Sequence, residues 1–243
     1  MKIVRSSNTS ASYNLALEEY LFTEFHDEFL FFYVNNPSVI LGSNQAVQNE
    51  IDLDYCLAKN IDIVRRKSGG GAVYHDNGNL NFSFLGNKSN ANIELSGDFL
   101  LPIVHILKSL NVDASIGARK DLWVADEYKI SGTASQIRKN RTLHHGTLLI
   151  DADLEQLALA LSVKAIDDTV KATKSVRSKT TNICDYLNIK NDIQIKGTEF
   201  IDQFISQACI YFETTLLGDS DFDQNAIQQY ELQYLDKNWN LKK

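Results

Sequence analysis

Several things are scarce in this sequence, and each shortage removes a class of protein. The 243 residues hold three cysteines, Cys56, Cys184 and Cys209, widely separated and without a Cys-x-x-Cys pair. That excludes a cysteine zinc cluster and suits a reducing cytoplasm. Only Pro37 and Pro102 interrupt the chain, and no repeat or low-complexity linker is present, so residues 1–243 are expected to form a single domain. The longest apolar runs, such as FLFFYV at 29–34, are far too short to span a bilayer. The opening MKIVRSSNTS has no apolar core of a signal peptide, so no membrane association is expected. Positive charge is also short: the formal net charge is −7, which argues against a nucleic-acid partner, though one basic patch can still hold a small anion.

What is present reads as a mixed fold. Tyr13, Ala16, Leu17, Tyr20 and Leu21 recur at helical spacing and predict an amphipathic opening helix. FLFFYV and SVILG read as buried strands joined by the turn NNPS, and IDIVRR as a strand that delivers Arg65 and Arg66 to its end. GNLNFSFL at 78–85 alternates as a half-buried strand does, and a helix follows from about Asp98, its expected N-cap. Residues 121–134 predict a hairpin turning at Asp126–Glu127, and LHHGTLLI at 143–150 a further strand. Helices are expected over 153–161, 198–217 and 224–235. Strands joined by hairpins, with helices around them, give an α/β or α+β class: a mixed central β-sheet flanked by helices.

The most unusual stretch is RRKSGGGAVYHDNGN, Arg65 to Asn79. Consecutive glycine amides form a concave donor surface for phosphate or carboxylate oxygens, and an adjacent arginine supplies a planar cation. Alone, the stretch reads more readily as a flexible turn with two solvated arginines. No Gly-Lys-Ser/Thr follows, so it is not a Walker A loop; strand rather than helix follows Gly71, so it is not a dinucleotide fingerprint. Lys129, in DLWVADEYKISGTA, precedes small residues and can point into a pocket, or lie on a strand edge. His144 and His145 are adjacent on a strand and point to opposite faces, which disfavours a shared metal. The cysteines sit in helix-like apolar contexts and read as packing.

Together these segments resemble the lipoate–protein ligase A family. The resemblance rests on NPSVILGSNQ, RRKSGGGAVYHDNGNLNFSF, DLWVADEYKISGTA, HHGTLLIDADL and SVRSKTTNI, in that order, and runs from the first helix to KNWN. It implies an enzyme that activates lipoate with ATP and Mg2+ to lipoyl-AMP and pyrophosphate. The lipoyl group then passes to a lysine of a lipoyl domain of a 2-oxoacid dehydrogenase complex, or of the glycine-cleavage H protein. Carried onto matching positions, Lys129 is the catalytic residue. Arg66, Ser68, Gly69, Gly70, Gly71, Ala72, Val73, Tyr74, His75, Asn79 and Asp121 are implied to bind the nucleotide and intermediate. The implied fold is one shared with biotin protein ligases.

Two departures from the family pattern stand out. Ala118-Arg119-Lys120-Asp121 replaces the usual Gly-Arg-Asn-Asp, and the sequence stops after NWNLKK, where longer members continue into an accessory domain. A separate accessory protein is therefore an expected partner for activation, and an enzyme acting only in the transfer step is the alternative reading. A cysteine-dependent octanoyl or lipoyl transferase would carry a nucleophilic cysteine before the lysine strand, and SIGARKDLW has none. A non-catalytic lipoate carrier would have little reason to keep both Arg66 and Lys129.

Overall fold

The computed structural model describes residues 1–87, 98–163, 175 and 178–242. In chain order the elements are β1 (Lys2–Arg5), α1 (Ala11–Glu24), β2 (Phe29–Val34), β3 (Ser38–Leu41), α2 (Leu53–Ala58), β4 (Asp62–Arg65), β5 (Val73–His75), β6 (Asn79–Asn87), α3 (Leu101–Ser109), β7 (Ala114–Ile116), β8 (Leu122–Val124), β9 (Tyr128–Ser131), β10 (Thr133–Arg138), β11 (Arg141–Leu149), α4 (Leu154–Ala160), α5 (Ile183–Asn191), α6 (Gly197–Tyr211), β12 (Leu216–Gly218), α7 (Gln224–Leu235) and α8 (Lys237–Asn240). A six-stranded mixed sheet has the order β10-β11-β6-β2-β1-β12, and two three-stranded sheets, β4-β3-β5 and β7-β8-β9, accompany it. The expected mixed sheet with flanking helices is therefore present.

The uninterrupted apolar run of β2 follows from burial on both faces. Leu30 and Phe32 join a core with α3, α5 and α6, whereas Phe29, Phe31 and Tyr33 join one with α1 and α7. A smaller core, with Val39, Leu41, Cys56, Tyr74 and Ala160, sits among β3, β5, α2 and α4. None of the helices among the described residues is long and apolar enough to cross a membrane.

Several elements differ from expectation. The predicted 198–217 helix ends at Tyr211, and Leu216–Gly218 instead extend the sheet as β12, parallel to β1. β1 also runs parallel to β2 across α1, and β3 parallel to β4 across α2, so two β-α-β crossovers exist among the described residues where hairpins were expected. α3 starts after a tight 3-10 turn, which puts Leu100 rather than Asp98 at its N-cap. The 121–134 hairpin turns over residues 125–127, between the paired Val124 and Tyr128, and so includes the expected Asp126–Glu127; Ala125 and Asp126 have φ angles of 51° and 52°. Helix α1 is buried nearly all round: Asn14, Glu18 and Glu19 are as enclosed as Leu17, because α7 covers one side and the site uses the other.

Of the two arginines ending β4, Arg65 is structural. It is fully buried and holds the carboxy-terminal segment, donating through Nε to the Trp239 carbonyl at 3.1 Å and through Nη2 to the Lys242 carbonyl at 3.0 Å. Its Nη1 donates to the Gly42 and Gln45 carbonyls at 2.8 and 2.7 Å.

Candidate active site

Arg66 organises the glycine loop from beneath. Its Nη2 donates to the Gly69 and Gly71 carbonyls at 2.6 and 2.8 Å, its Nη1 to the Ile40 carbonyl at 2.9 Å, and its Nε to Ser68 Oγ at 3.0 Å. A trans peptide points its N–H opposite to the preceding C=O. Drawing in the carbonyls of Gly69 and Gly71 thus turns the Gly70 and Ala72 amides outward, towards whatever occupies the loop. The Ala72 N–H meets Ser175 Oγ at 3.0 Å, an oxygen in the direction an anion would occupy. Gly70 has φ +88°, a conformation that side chains rarely adopt. Gly42 is needed for a different reason, since a Cβ there would lie 2.1 Å from the Gly70 carbonyl oxygen. Burial pushes Arg66 down to about 10, and among the described residues it forms no ion pair with a carboxylate. A buried cation offset only through space, by Glu18, makes the pocket attractive to anions.

Lys129, on β9, is held by the segment that crosses it. Its amide donates to the Lys179 carbonyl at 2.9 Å, and its carbonyl accepts from the Thr181 amide at 3.3 Å. Its Nζ is 3.2 Å from Asp121 Oδ2, close enough to form an ion pair. Burial pushes the Asp121 carboxyl up, but the Trp123 indole and Lys129 outweigh this and hold it below the usual range. Arg119 lies further off, 3.9 Å from the same carboxylate.

Two clefts meet at Lys129. One, of about 290 Å³, is lined by Arg66, the Gly70–Val73 backbone, Asp121 and Lys129 and ends among Leu15, Tyr33, Ile40, His75, Asn81 and His145, all buried. The other, of about 470 Å³, runs past Tyr74 to an apolar wall of Leu149, Leu154, Leu157 and Leu161. Ala72, Val73, Lys129, Gly132, Thr147 and Ser175 line both. The structure thus brings Lys129, Asp121, Arg66, Gly70, Gly71, Ala72, Val73, Tyr74 and His75 to one connected space. Ser68 and Asn79 stand behind the wall: Ser68 binds Arg66 and His145, and the Asn79 amide donates to Asn81 Oδ1 at 3.1 Å. Gly69 contributes its carbonyl to Arg66.

Glu18, Asn14 and Asn35, which sequence motifs do not mark, join Ser68, His75 and His145 around the deep end. His145 Nε2 lies 2.7 Å from Ser68 Oγ and its Nδ1 3.0 Å from Glu18 Oε2, while Glu18 also accepts from Ser83 Oγ at 2.5 Å. Asn14 Nδ2 donates to Asn35 Oδ1 at 2.8 Å, and Asn35 Nδ2 donates to His75 Nδ1 at 3.0 Å. The available signal was Asn14 and Glu18, two polar residues four apart inside an otherwise apolar helical pattern. His144 faces away from His145, stacked on Phe99 with ring centroids 4.3 Å apart.

Two buried imidazoles make stability depend on pH. Burial and Arg66 push His75 down to about 3, and burial and Lys120 push His144 down to about 4. Both therefore stay neutral in the folded protein while their unfolded counterparts protonate below about 6.5. The unfolded chain then binds more protons, so stability falls on acidification from pH 6.5 towards 4, by up to about 1.4 kcal/mol per histidine per pH unit. Urea midpoints between pH 7 and 4.5 should fall steadily, and His144→Gln should flatten that slope.

The cysteines lie on helices away from both clefts. Burial pushes the Cys56 thiol up to about 11 and Cys184 up to about 12, which leaves almost no thiolate near neutral pH. Replacing all three with serine or alanine should leave turnover within about twofold of the parent once the packing loss is allowed for. A folded but inactive single variant carrying an acyl-thioester, read by mass spectrometry, would overturn this.

A mixed sheet thus brings an amide-lined loop, a buried arginine and a lysine together where two clefts meet. Residues 10–224 match the model of the lipoyl protein ligase A/B catalytic domain, and the chain belongs to that family. Lipoate–protein ligase 1 of Staphylococcus aureus is 42% identical over 197 residues, which cover 80% of this chain and 60% of that relative's length. The bipartite lipoate protein ligase of Thermoplasma acidophilum, whose structural study includes its E2 lipoyl domain, superposes with a TM-score of 0.80 at 26% identity, covering 99% of this chain and 95% of that one. A lipoate-protein ligase A bound with ATP superposes with a TM-score of 0.77 at 26% identity, covering 99% and 98% of the two chains.

Proposed function

We propose that this protein is an ATP-dependent lipoate–protein ligase. The reading rests above all on the placement of Lys129 where the two clefts meet, beside outward-facing amides and above a buried cation. In the first step the lipoate carboxylate attacks the α-phosphorus of ATP, the bond to the β-phosphate oxygen breaks, and pyrophosphate leaves. In the second an acceptor lysine amine, having lost a proton, attacks the acyl carbon, and AMP departs. Negative charge builds on oxygens beside Lys129 in both steps, and a positioned ammonium stabilises it. The Gly70 and Ala72 amides would take phosphate oxygens, with Arg66 fixing their direction. Asp121 orients Lys129.

Among the described residues no grouping of three His, Cys, Asp or Glu side chains is placed to hold a metal. Mg2+ would thus be held chiefly by the triphosphate, where it offsets charge. The acceptor is a lipoyl domain of a 2-oxoacid dehydrogenase complex or the glycine-cleavage H protein, a reading supported by the lipoyl-domain partner of the Thermoplasma ligase. Three free cysteines agree with work in a reducing cytoplasm. ATP–pyrophosphate exchange that depends on lipoate is the test, run with and without a candidate accessory protein. Exchange absent under both conditions, with transfer from synthetic lipoyl-AMP intact, would leave a transferase instead.

A further inference from the structure

The closed end of the smaller cleft contains a hydrogen-bond donor with no partner. His75 is 3% exposed and lines the cleft. Its Nδ1 faces the Asn35 amide at 3.0 Å, and Asn35 in turn accepts from Asn14 at 2.8 Å. An amide nitrogen can only donate, so Nδ1 must accept, and the ring's proton is fixed on Nε2. That Nε2 has no hydrogen-bond partner among the described residues. The ring is neutral across the physiological range because burial holds its pKa near 3. It therefore presents one N–H and no charge.

A buried donor left unpaired is costly, and an occupant of the cleft must either offer it an acceptor or leave the N–H unpaired. Under the ligase reading, on which this inference rests, the reacting carboxyl lies at Lys129 and the far end of the acid lies against Leu15, Tyr33, Ile40 and His75. Two acids of that length differ there in hydrogen-bonding capacity as well as in shape. A disulfide-containing ring offers sulfur lone pairs, which accept hydrogen bonds weakly, whereas a straight alkyl end offers none.

We infer that His75 is a specificity-determining residue whose Nε2–H hydrogen-bonds the distal sulfur of the acyl substrate, so that the site prefers a dithiolane-bearing acid over an unbranched fatty acid of the same length. Asn35 and Asn14 are positioning residues, because they fix the tautomer. Asn81 and His145, polar side chains that also line that end, already have hydrogen-bond partners, so selection falls to the unpaired His75 N–H.

The test measures binding of free lipoate and free octanoate to the intact protein by calorimetry, in the parent and in His75→Leu and Asn35→Leu variants. The parent should bind lipoate roughly fivefold to tenfold more tightly than octanoate, the range expected from one buried donor paired or left unpaired. In His75→Leu the ratio should fall to near one, mainly through weaker lipoate binding. Asn35→Leu frees the tautomer and should lower the ratio partway; it keeps the proposal testable if His75→Leu fails to fold. A ratio unchanged in a folded variant that still binds lipoate would overturn the role of His75 while leaving the ligase reading intact. Equal loss of both acids would make His75 merely structural. A parent that binds neither acid would overturn both readings together.

Discussion

Lys129→Ala should abolish both half reactions while the fold survives. Lipoate-dependent pyrophosphate exchange and single-turnover transfer from synthetic lipoyl-AMP should each fall at least about 100-fold, the scale of losing one preorganised charge at a reacting oxygen. Stability should change little, with a melting temperature within about 4 °C of the parent. The side chain is one-fifth exposed and its ion pair with Asp121 is 3.2 Å long; the strap across β9 is held through the Lys129 backbone, which the substitution retains. Lys129→Arg separates charge from shape, because a planar guanidinium cannot replace a compact ammonium where the two clefts narrow. It should fold and stay at least about tenfold impaired. Near-parental transfer in the alanine variant would remove Lys129 from the mechanism.

How much of this was legible in the sequence differs from element to element. The strands ending at Arg66 and beginning at Tyr128 could be read because their apolar residues alternate and then give way to glycine or small residues. β12 was hidden: Leu216 and Leu217 continue an apolar helical pattern, and only pairing with β1, more than 200 residues away, makes them strand. The site divides in the same way. Lys129 and the glycines stand in one continuous motif each and were found. Glu18, Asn35 and His145 act through space, and none carries a local signature. A buried polar residue on a helix looks like a solvated one until its cover is known, and α7, which covers α1, lies at the other end of the chain.

The glycine loop gives the second large expected effect, and it separates two roles for Arg66. The sequence alone casts it as a fork for the anion. The structure commits most of its donors to the protein itself: the carbonyls of Ile40, Gly69 and Gly71, and Ser68 Oγ. If its main work is to hold those carbonyls, Arg66→Met should both destabilise and inactivate. One buried and two part-buried carbonyls and a buried hydroxyl would lose their partner, costing about 3 to 5 kcal/mol even though the terms are not additive. The Gly70 and Ala72 amides would lose their outward direction, and pyrophosphate exchange should fall at least about 100-fold. Arg66→Lys then decides between the roles. An ammonium keeps the charge but cannot reach Ile40 on one side and both glycine carbonyls on the other. A shaping role leaves this variant nearly as inactive as Arg66→Met, with its urea midpoint between those of Arg66→Met and the parent. A direct charge role predicts the reverse, an unaltered midpoint and a raised KM for ATP with kcat preserved. Measuring urea midpoints and exchange kinetics on the same preparations distinguishes these outcomes, and the four donor contacts already in place favour the first.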